Sequence, residues 1–192
     1  MNKLFFSAYA FVFLVCAVEP YDREVWWAEN FPILLLVAAI AWTARHHRFS
    51  AASWGFMLCL PVLHTIGGHY TFALVPFDFV TDTFGFERNH FDRLSHFSVG
   101  FFAFPLVEIL RDHRLVASAW ILYLFPVTAI MALAGVYEIF EWQYALSADP
   151  TAGAAVLGSQ GDIWDAQKDI LADTLGALFA VLAFRLRRNH KQ

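Results

Sequence analysis

A bundle of six membrane-spanning α-helices is the fold this sequence predicts, and three observations predict it. Of 192 residues, 59% are apolar and only 16% are charged, against about 25% charged in soluble domains. The apolar residues gather into six runs near the length a helix needs to cross a hydrocarbon core of about 30 Å. No run alternates with the period of two that a barrel strand requires, so helices must satisfy the backbone inside lipid. The same composition excludes a disordered or collagen-like chain. Cys16 and Cys59 each sit inside an apolar run and read as small buried hydrophobes, not as a disulfide framework. The length fits a single domain, 1–192.

The first run, Leu4 to Val18, is the shortest. Fifteen residues after Lys3, all apolar but Ser7, are similar to a signal-peptide core, and Val15-Cys16-Ala17 to a cleavage site. Pro20 and the Tyr21, Trp26 and Trp27 belt argue instead for a retained span that ends in an interfacial turn. Cleavage would leave five spans. The second and third runs, Val25 to Ala44 and Phe49 to Tyr70, are joined by the tight basic turn Ala44 to Arg48. Between the third and fourth, Thr71 to Asp92 is rich in Phe and Val but carries Pro76, Asp78, Asp82 and Gly85. It is expected to lie along the interface as a short amphipathic or re-entrant segment. The fourth and fifth runs, Leu94 to Leu110 and Leu115 to Trp142, flank the turn Arg111 to Arg114. Gln143 to Lys168 reads as a loop leading into the sixth run, Ile170 to Leu186, with Asp162 or Asp165 near the helix start. No internal repeat is evident, which argues against an inverted-repeat transporter.

Basic residues orient the spans. With the N-terminus inside, nine of the thirteen Lys and Arg fall on the inner side and four, Arg23, Arg88, Arg93 and Lys168, on the outer. That bias predicts both termini in the cytoplasm. The acids divide more sharply: Glu108 and Asp112 are inner, and the other fifteen of seventeen are outer or in outer halves of spans. The mild net charge of −4 and the lack of a basic stripe exclude a nucleic-acid partner; membrane lipids are the expected one.

Ionisable groups inside a span cost roughly 2.5–3.5 kcal/mol each at its centre, so each needs a reason. The third run carries His64 and ends Gly67-Gly68-His69-Tyr70. The fourth opens with Asp92, Arg93 and His96, the fifth ends with Glu138 and Glu141, and the sixth opens with Asp165, Asp169 and Asp173. Asp92 and His96 are four apart, as are Asp165, Asp169 and Asp173, while Glu138 and Glu141 are three apart; each set shares a helix face. At about 1.5 Å per residue, His64, His96, Glu138 and Asp173 lie one or two turns below the outer interface. If these helices pack together they form a polar pocket open to the outside.

That donor set admits several chemistries. His64, His96, Glu138, Asp169 and Asp173 are candidate acid–base residues for hydrolysing or transferring a lipid-linked group, since crowded carboxylates raise one another's affinity for protons. His64, His69, His96, Glu138, Glu141 and Asp173 are candidate ligands for a divalent metal of the Zn, Mn or Fe type, although no fixed-spacing ligand motif is present. The same groups suit a proton relay in a transporter, or hydrogen bonds that merely hold a scaffold together. Asp92, Arg93, Asp165 and Gly68 complete the candidate pocket, Gly68 permitting close backbone approach for a ligand or a neighbouring helix. Exposed helix ends are commonly charged, so Asp92, Glu141, Asp162 and Asp165 also fit solvated termini favoured by the helix dipole. Glu108 has Arg111 one turn away and is expected to pair with it. No Ser or Cys nucleophile motif and no phosphate loop occurs.

Four stretches carry a resemblance: HTIGGHY (64–70), FDRLSHFSVGF (91–101), YEIFEW (137–142) and GDIWDAQKDILADTLGAL (161–178). They resemble the YjdF-type family of bacterial inner-membrane proteins over nearly the whole chain. That resemblance implies an inner-membrane location and a helical fold, with no reaction attached. More distantly, Asp92-Arg-Leu-Ser-His96, the glutamate ending the fifth run and Asp169 through Gly176 are similar to VanZ-like proteins, which implies a role in the cell envelope. This chain has Arg93 where Lys is common in that pattern and a longer loop before the last run.

Overall fold

The computed structural model describes residues 2–147 and 159–189. The described residues form helices α1 (Asn2–Cys16), α2 (Arg23–Thr43), α3 (Ala51–His69), α4 (Asp78–Phe84), α5 (Phe91–Val99), α6 (Ala103–Asp112), α7 (Ala119–Ser147) and α8 (Asp165–Asn189). A 3-10 turn at Gly100–Phe102 links α5 to α6, so the two make one rod of 22 residues. Leaving aside the short α4, six rods correspond to the six apolar runs. Four of them, α2, α3, α5 with α6, and α7, are long and apolar enough to cross a membrane. Helix α1, at 15 residues, is a shorter apolar helix packed along α3, and α8 packs between α5 and α7.

Residue pairs give the direction of each rod. Phe5 packs on Trp54, and the carbonyl of Cys16 meets His69, so α1 and α3 run parallel. Glu29 meets His64, whereas Ile40 shares a cluster with Trp54, so α2 runs opposite to α3. Arg93 meets Asp169, and Phe104 meets Phe184, so the α5–α6 rod and α8 run parallel. Helix α7 returns alongside them, with Val127 and Ile130 in the cluster of Phe104 and Val107. Asn2, Ser50 and Asp112 therefore belong to one end of the bundle, the basic end. His69, Arg93 and Asp165 belong to the other, the acidic end. Successive rods run in alternating directions, and four of the six expected runs are long and apolar enough to cross a membrane.

The bundle is packed inside out relative to a soluble domain. Phe11 is 69% exposed and Leu133 62%, while Asn30 is 0% and Asp173 1% exposed. Apolar side chains facing outward match lipid, and the polar groups occupy the interior because lipid offers them no hydrogen bonds. Helix α8 shows the rule in a single stripe. Its buried side chains are Asp165, Asp169, Asp173, Ala177, Ala180 and Phe184, at spacings of three and four, with Gly176 buried beside them, while Leu171, Leu175, Leu178 and Leu182 face out.

The small residues in that stripe set how close the helices come. A Cβ on Gly176 would overlap the carbonyl oxygen of Phe97, and one on Gly100 would overlap the backbone of Gly176 and Ala177. The α5–α6 rod and α8 thus touch backbone to backbone, the approach that small residues permit in membranes. Below this contact, toward the basic end, Ala103, Phe104, Val107, Val127, Ile130, Ala177, Ala180 and Phe184 form an apolar core.

Local signals place the ends. Asp22 caps α2 by accepting from the N–H groups of Glu24 and Val25, and Ser50 caps α3 by accepting from the Ser53 N–H. The third span therefore begins at Ala51, two residues after Phe49. The fifth begins at Ala119, later than Leu115, because α6 is closed by Arg114 at φ 51° and by the Leu115 N–H on the Leu110 carbonyl. It also runs on to Ser147, so the loop expected from Gln143 starts as helix; 148–158 lie outside the described residues. The expected short segment between the third and fourth spans is α4, ended by Gly85 at φ 66°. Phe79 and Phe84, 84% and 68% exposed, project from it.

Candidate functional site

The acidic end holds three linked groups of polar residues. The first is built on the parallel starts of α5 and α8. Arg93 reaches Asp165 and Asp169 of α8 through its two terminal nitrogens and Asp92 at 3.2 Å. Arg88 bonds Asp162 at 2.9 Å and Asp165 at 3.1 Å, and Lys168 bonds Asp162 at 2.6 Å. The four-residue spacing of Asp92 and His96, matched by that of Asp165, Asp169 and Asp173, lets two facing stripes interlock along parallel axes. Asp162 precedes α8. The ammonium of Lys168, with the Trp164 N–H, pushes its carboxyl down to about 2.

One turn deeper, His96 is enclosed by acids. Its Nδ1 lies 3.3 Å from Asp173 Oδ1, and its Nε2 lies 3.7 Å from Asp92 Oδ1 and 3.6 Å from Asp169 Oδ1. Both ring nitrogens therefore face carboxylates, which accept from whichever of them carries a proton. Asp92, His96 and Asp169 each offer one ligand atom, all within 4.8 Å of one another, a spacing that also suits a bound cation. Glu138 projects from α7 within electrostatic range of His96, Asp169, Asp173 and Asp92. It is 9% exposed, and its Oε1 has no hydrogen-bond partner among the described residues; nor has Ser95 Oγ, beside His96 on α5. Glu141, one turn further, is half-buried in the field of Glu29, Glu138, His96 and Asp92.

The third group lies between α2 and α3. His64 Nε2 is 3.0 Å from Glu29 Oε2, and Thr65 donates to Asn30 at 2.8 Å. Gly68 makes this possible: a Cβ there would stand 3.1 Å from both the Asn30 amide nitrogen and Glu29 Cβ. The glycine serves the packing of α3 on α2. Phe72 then covers the pair, its ring lying 5.1 Å from that of His64 and filling the space where Gly67 lacks a side chain. Thr71 and Phe72 take φ of 52° and 55° to fold back this way, a left-handed conformation that costs non-glycine residues of order 1–2 kcal/mol each. Glu29 links this group to the others, because it acts on both Tyr137 and Glu141 of α7.

Set against the sequence, the placement is selective. His96, Asp92, Asp169 and Asp173 come together, with Arg93 and Asp165 at their rim and Glu138 and Glu141 beside them. His64 joins through Glu29 and not through His96. His69 turns elsewhere: its Nδ1 bonds the Cys16 carbonyl at 2.9 Å and its ring packs on Tyr70, tying α3 to the end of α1. Glu29 was missed, although the signal was present, since a glutamate inside the second apolar run is as costly as the one inside the fifth. The expected pair of Glu108 with Arg111 does not form. Glu108 accepts from the Ser50 N–H and the Ser53 hydroxyl, both at 2.6 Å, while Arg111 bonds Asp112 and lies over the Phe184 ring. The side chain of residue 108 faces the start of α3 on the buried side of α6, and that of residue 111 faces α8.

An all-α bundle with lipid-facing apolar sides and a buried polar interior defines a multi-pass membrane protein. The chain belongs to the family described as predicted membrane protein (DUF2238), whose model matches residues 1–190. It is similar to the inner membrane protein YjdF of Escherichia coli K12, with 30% identity over 173 residues, covering 89% of this chain and 82% of that one. The chain is accordingly an inner-membrane protein of that family, as the four quoted stretches led one to expect. Neither finding bears on the VanZ-like similarity. No solved structure matches.

Proposed function

We propose that this protein binds, at the outer leaflet, the polar head of a lipid or lipid-linked envelope component, and that His96 with Asp173 exchanges protons with it. The observation that carries the reading is the His96 imidazole among Asp92, Asp169 and Asp173, with the buried Glu138 Oε1 beside it and unpartnered. A buried acceptor without a donor is costly, on the order of 1–3 kcal/mol, and a ligand carrying N–H or O–H groups supplies one.

The charge balance narrows the headgroup. Asp92, Glu138, Glu141, Asp169 and Asp173 surround His96 and Arg93, and Arg93 is already engaged by Asp165 and Asp169. Carboxylates in excess favour an amine or a hydroxyl-rich head over a bare phosphate. The apolar core of Phe104, Val107, Val127, Ile130 and Phe184 on the far side of the Gly100–Gly176 contact supports a one-sided pocket over a proton path through the bundle. Outer placement follows from the charge bias of the loops.

Delipidated full-length protein in detergent, titrated with short-chain phosphatidylethanolamine and phosphatidylglycerol and followed by tryptophan fluorescence, tests this. The expected result is at least tenfold tighter binding of the ethanolamine lipid, with the preference lost in Asp173→Asn and Glu138→Gln. Equal binding of both lipids by wild type and variants would leave the polar residues as helix-to-helix ties.

A further inference from the structure

The basic end contains a second, separate cluster that the pocket does not use. His47 lies in the α2–α3 turn, Glu108 and Asp112 stand one turn apart on α6, and His113 caps that helix. One ligand atom each from His47, Glu108 and Asp112 falls within 4.8 Å of the other two. We propose that these three residues bind a divalent cation of the zinc class at the basic end of the bundle.

The geometry around His47 is that of a metal ligand. Its Nδ1 lies 3.1 Å from His113 Nε2, a contact that holds one proton between two rings. With that proton on His47, its Nε2 carries a bare lone pair. That atom is buried and has no hydrogen-bond partner among the described residues; the side chain is 7% exposed. It faces Glu108 Oε1 at 3.5 Å, beyond the usual 2.7–3.2 Å of an N–H···O bond. Two ligands 3.5 Å apart, each about 2.0–2.1 Å from one ion, subtend about 115°, near the tetrahedral angle.

The surroundings hold these ligands as the outer shell of a metal site does. With His113 as acceptor the His47 proton stays on Nδ1, the Ser50 N–H and Ser53 hydroxyl orient the Glu108 carboxylate at 2.6 Å each, and Arg111 holds Asp112 Oδ1 at 2.7 Å. Two carboxylates and a neutral imidazole balance a divalent charge and leave a fourth position for water, Asp112 being the exposed member. Imidazole and carboxylate without thiolate suit zinc and its borderline neighbours.

The test uses the full-length protein in detergent, stripped with chelator and titrated with Co2+, whose visible absorption bands report tetrahedral coordination. Wild type is expected to show the bands, saturating at one equivalent, and to lose them when Zn2+ is added. His47→Ala and the exposed-site variant Asp112→Asn should each weaken Co2+ binding at least tenfold, and His96→Ala should not. Asp112→Asn alters a half-exposed side chain and keeps the test meaningful if His47→Ala fails to fold. Absence of the bands in wild type overturns the site, as does binding that survives both variants or disappears with His96→Ala. Because no residue is shared with the acidic end, failure here leaves the headgroup reading standing, and the reverse holds too.

Discussion

Gly100 and Gly176 meet with no side chain between them, and this contact sets the distance between His96 on α5 and Asp173 on α8. Both side chains lie about one turn from the glycine on their own rod. Substituting Gly176→Leu forces the helices apart, because the atoms in the way are the Phe97 carbonyl and the Gly100 backbone. Overpacking of this kind costs about 1–3 kcal/mol or more. We expect a lower thermal midpoint in detergent, together with loss of the headgroup preference even though no polar residue has changed. Gly55, where a Cβ meets nothing within 4 Å, is the control position.

Arg93 is the counterion that Asp165 and Asp169 share. Arg93→Ala leaves Asp165 held by Arg88 but takes the guanidinium from Asp169, and is expected to destabilise by about 3–5 kcal/mol, the usual cost of stranding a buried charge. Arg93→Ala combined with Asp169→Asn should recover part of that loss. Thermal unfolding of the two single variants and the double variant gives the coupling, and strictly additive losses would show that the pair does not interact.

Glu108 closes the basic end through two short hydrogen bonds. Glu108→Ala removes the acceptor for the Ser50 N–H and the Ser53 hydroxyl and is expected to cost about 1–3 kcal/mol. Glu108→Gln keeps an acceptor and should cost less. Equal losses in the two variants, measured by the same unfolding assay, would mean that burial of the stem outweighs these bonds.

Asp162 gives the acidic end a pH dependence of known sign. Its carboxyl is pushed down to about 2 by Lys168, below the ordinary value of about 3.9. Its contribution to stability is therefore complete above about pH 4 and disappears as the pH falls toward 2. Asp162→Asn should lower stability near neutrality, where that contribution is complete, and flatten the thermal-unfolding profile between about pH 4 and 2, so that wild type and variant converge in acid.

Sidedness is checked by labelling. With Cys16 and Cys59 replaced by alanine, Thr83→Cys in the exposed α4 should react with an impermeant maleimide on intact cells. Val116→Cys, in the turn between α6 and α7, should react only after the membrane is opened. The opposite pattern would invert the bundle and place the acidic end on the cytoplasmic side.

The lengths and apolar composition of the runs determined the all-helical membrane fold, because lipid leaves the backbone no other way to satisfy its hydrogen bonds across so many residues. The four-residue spacings likewise told which acids share a face, since helical periodicity is a local property. Which faces meet is not local. That α8 lies parallel to the α5–α6 rod, so that Asp173 reaches His96, follows from a glycine contact between residues 76 apart. That His64 takes Glu29 as its partner follows from Gly68 letting α2 and α3 approach. Glu108 turning from Arg111 to Ser50 and Ser53 follows from α6 packing beside the start of α3. Spacing along one helix fixes a direction around its axis; only the packed bundle decides what stands in that direction.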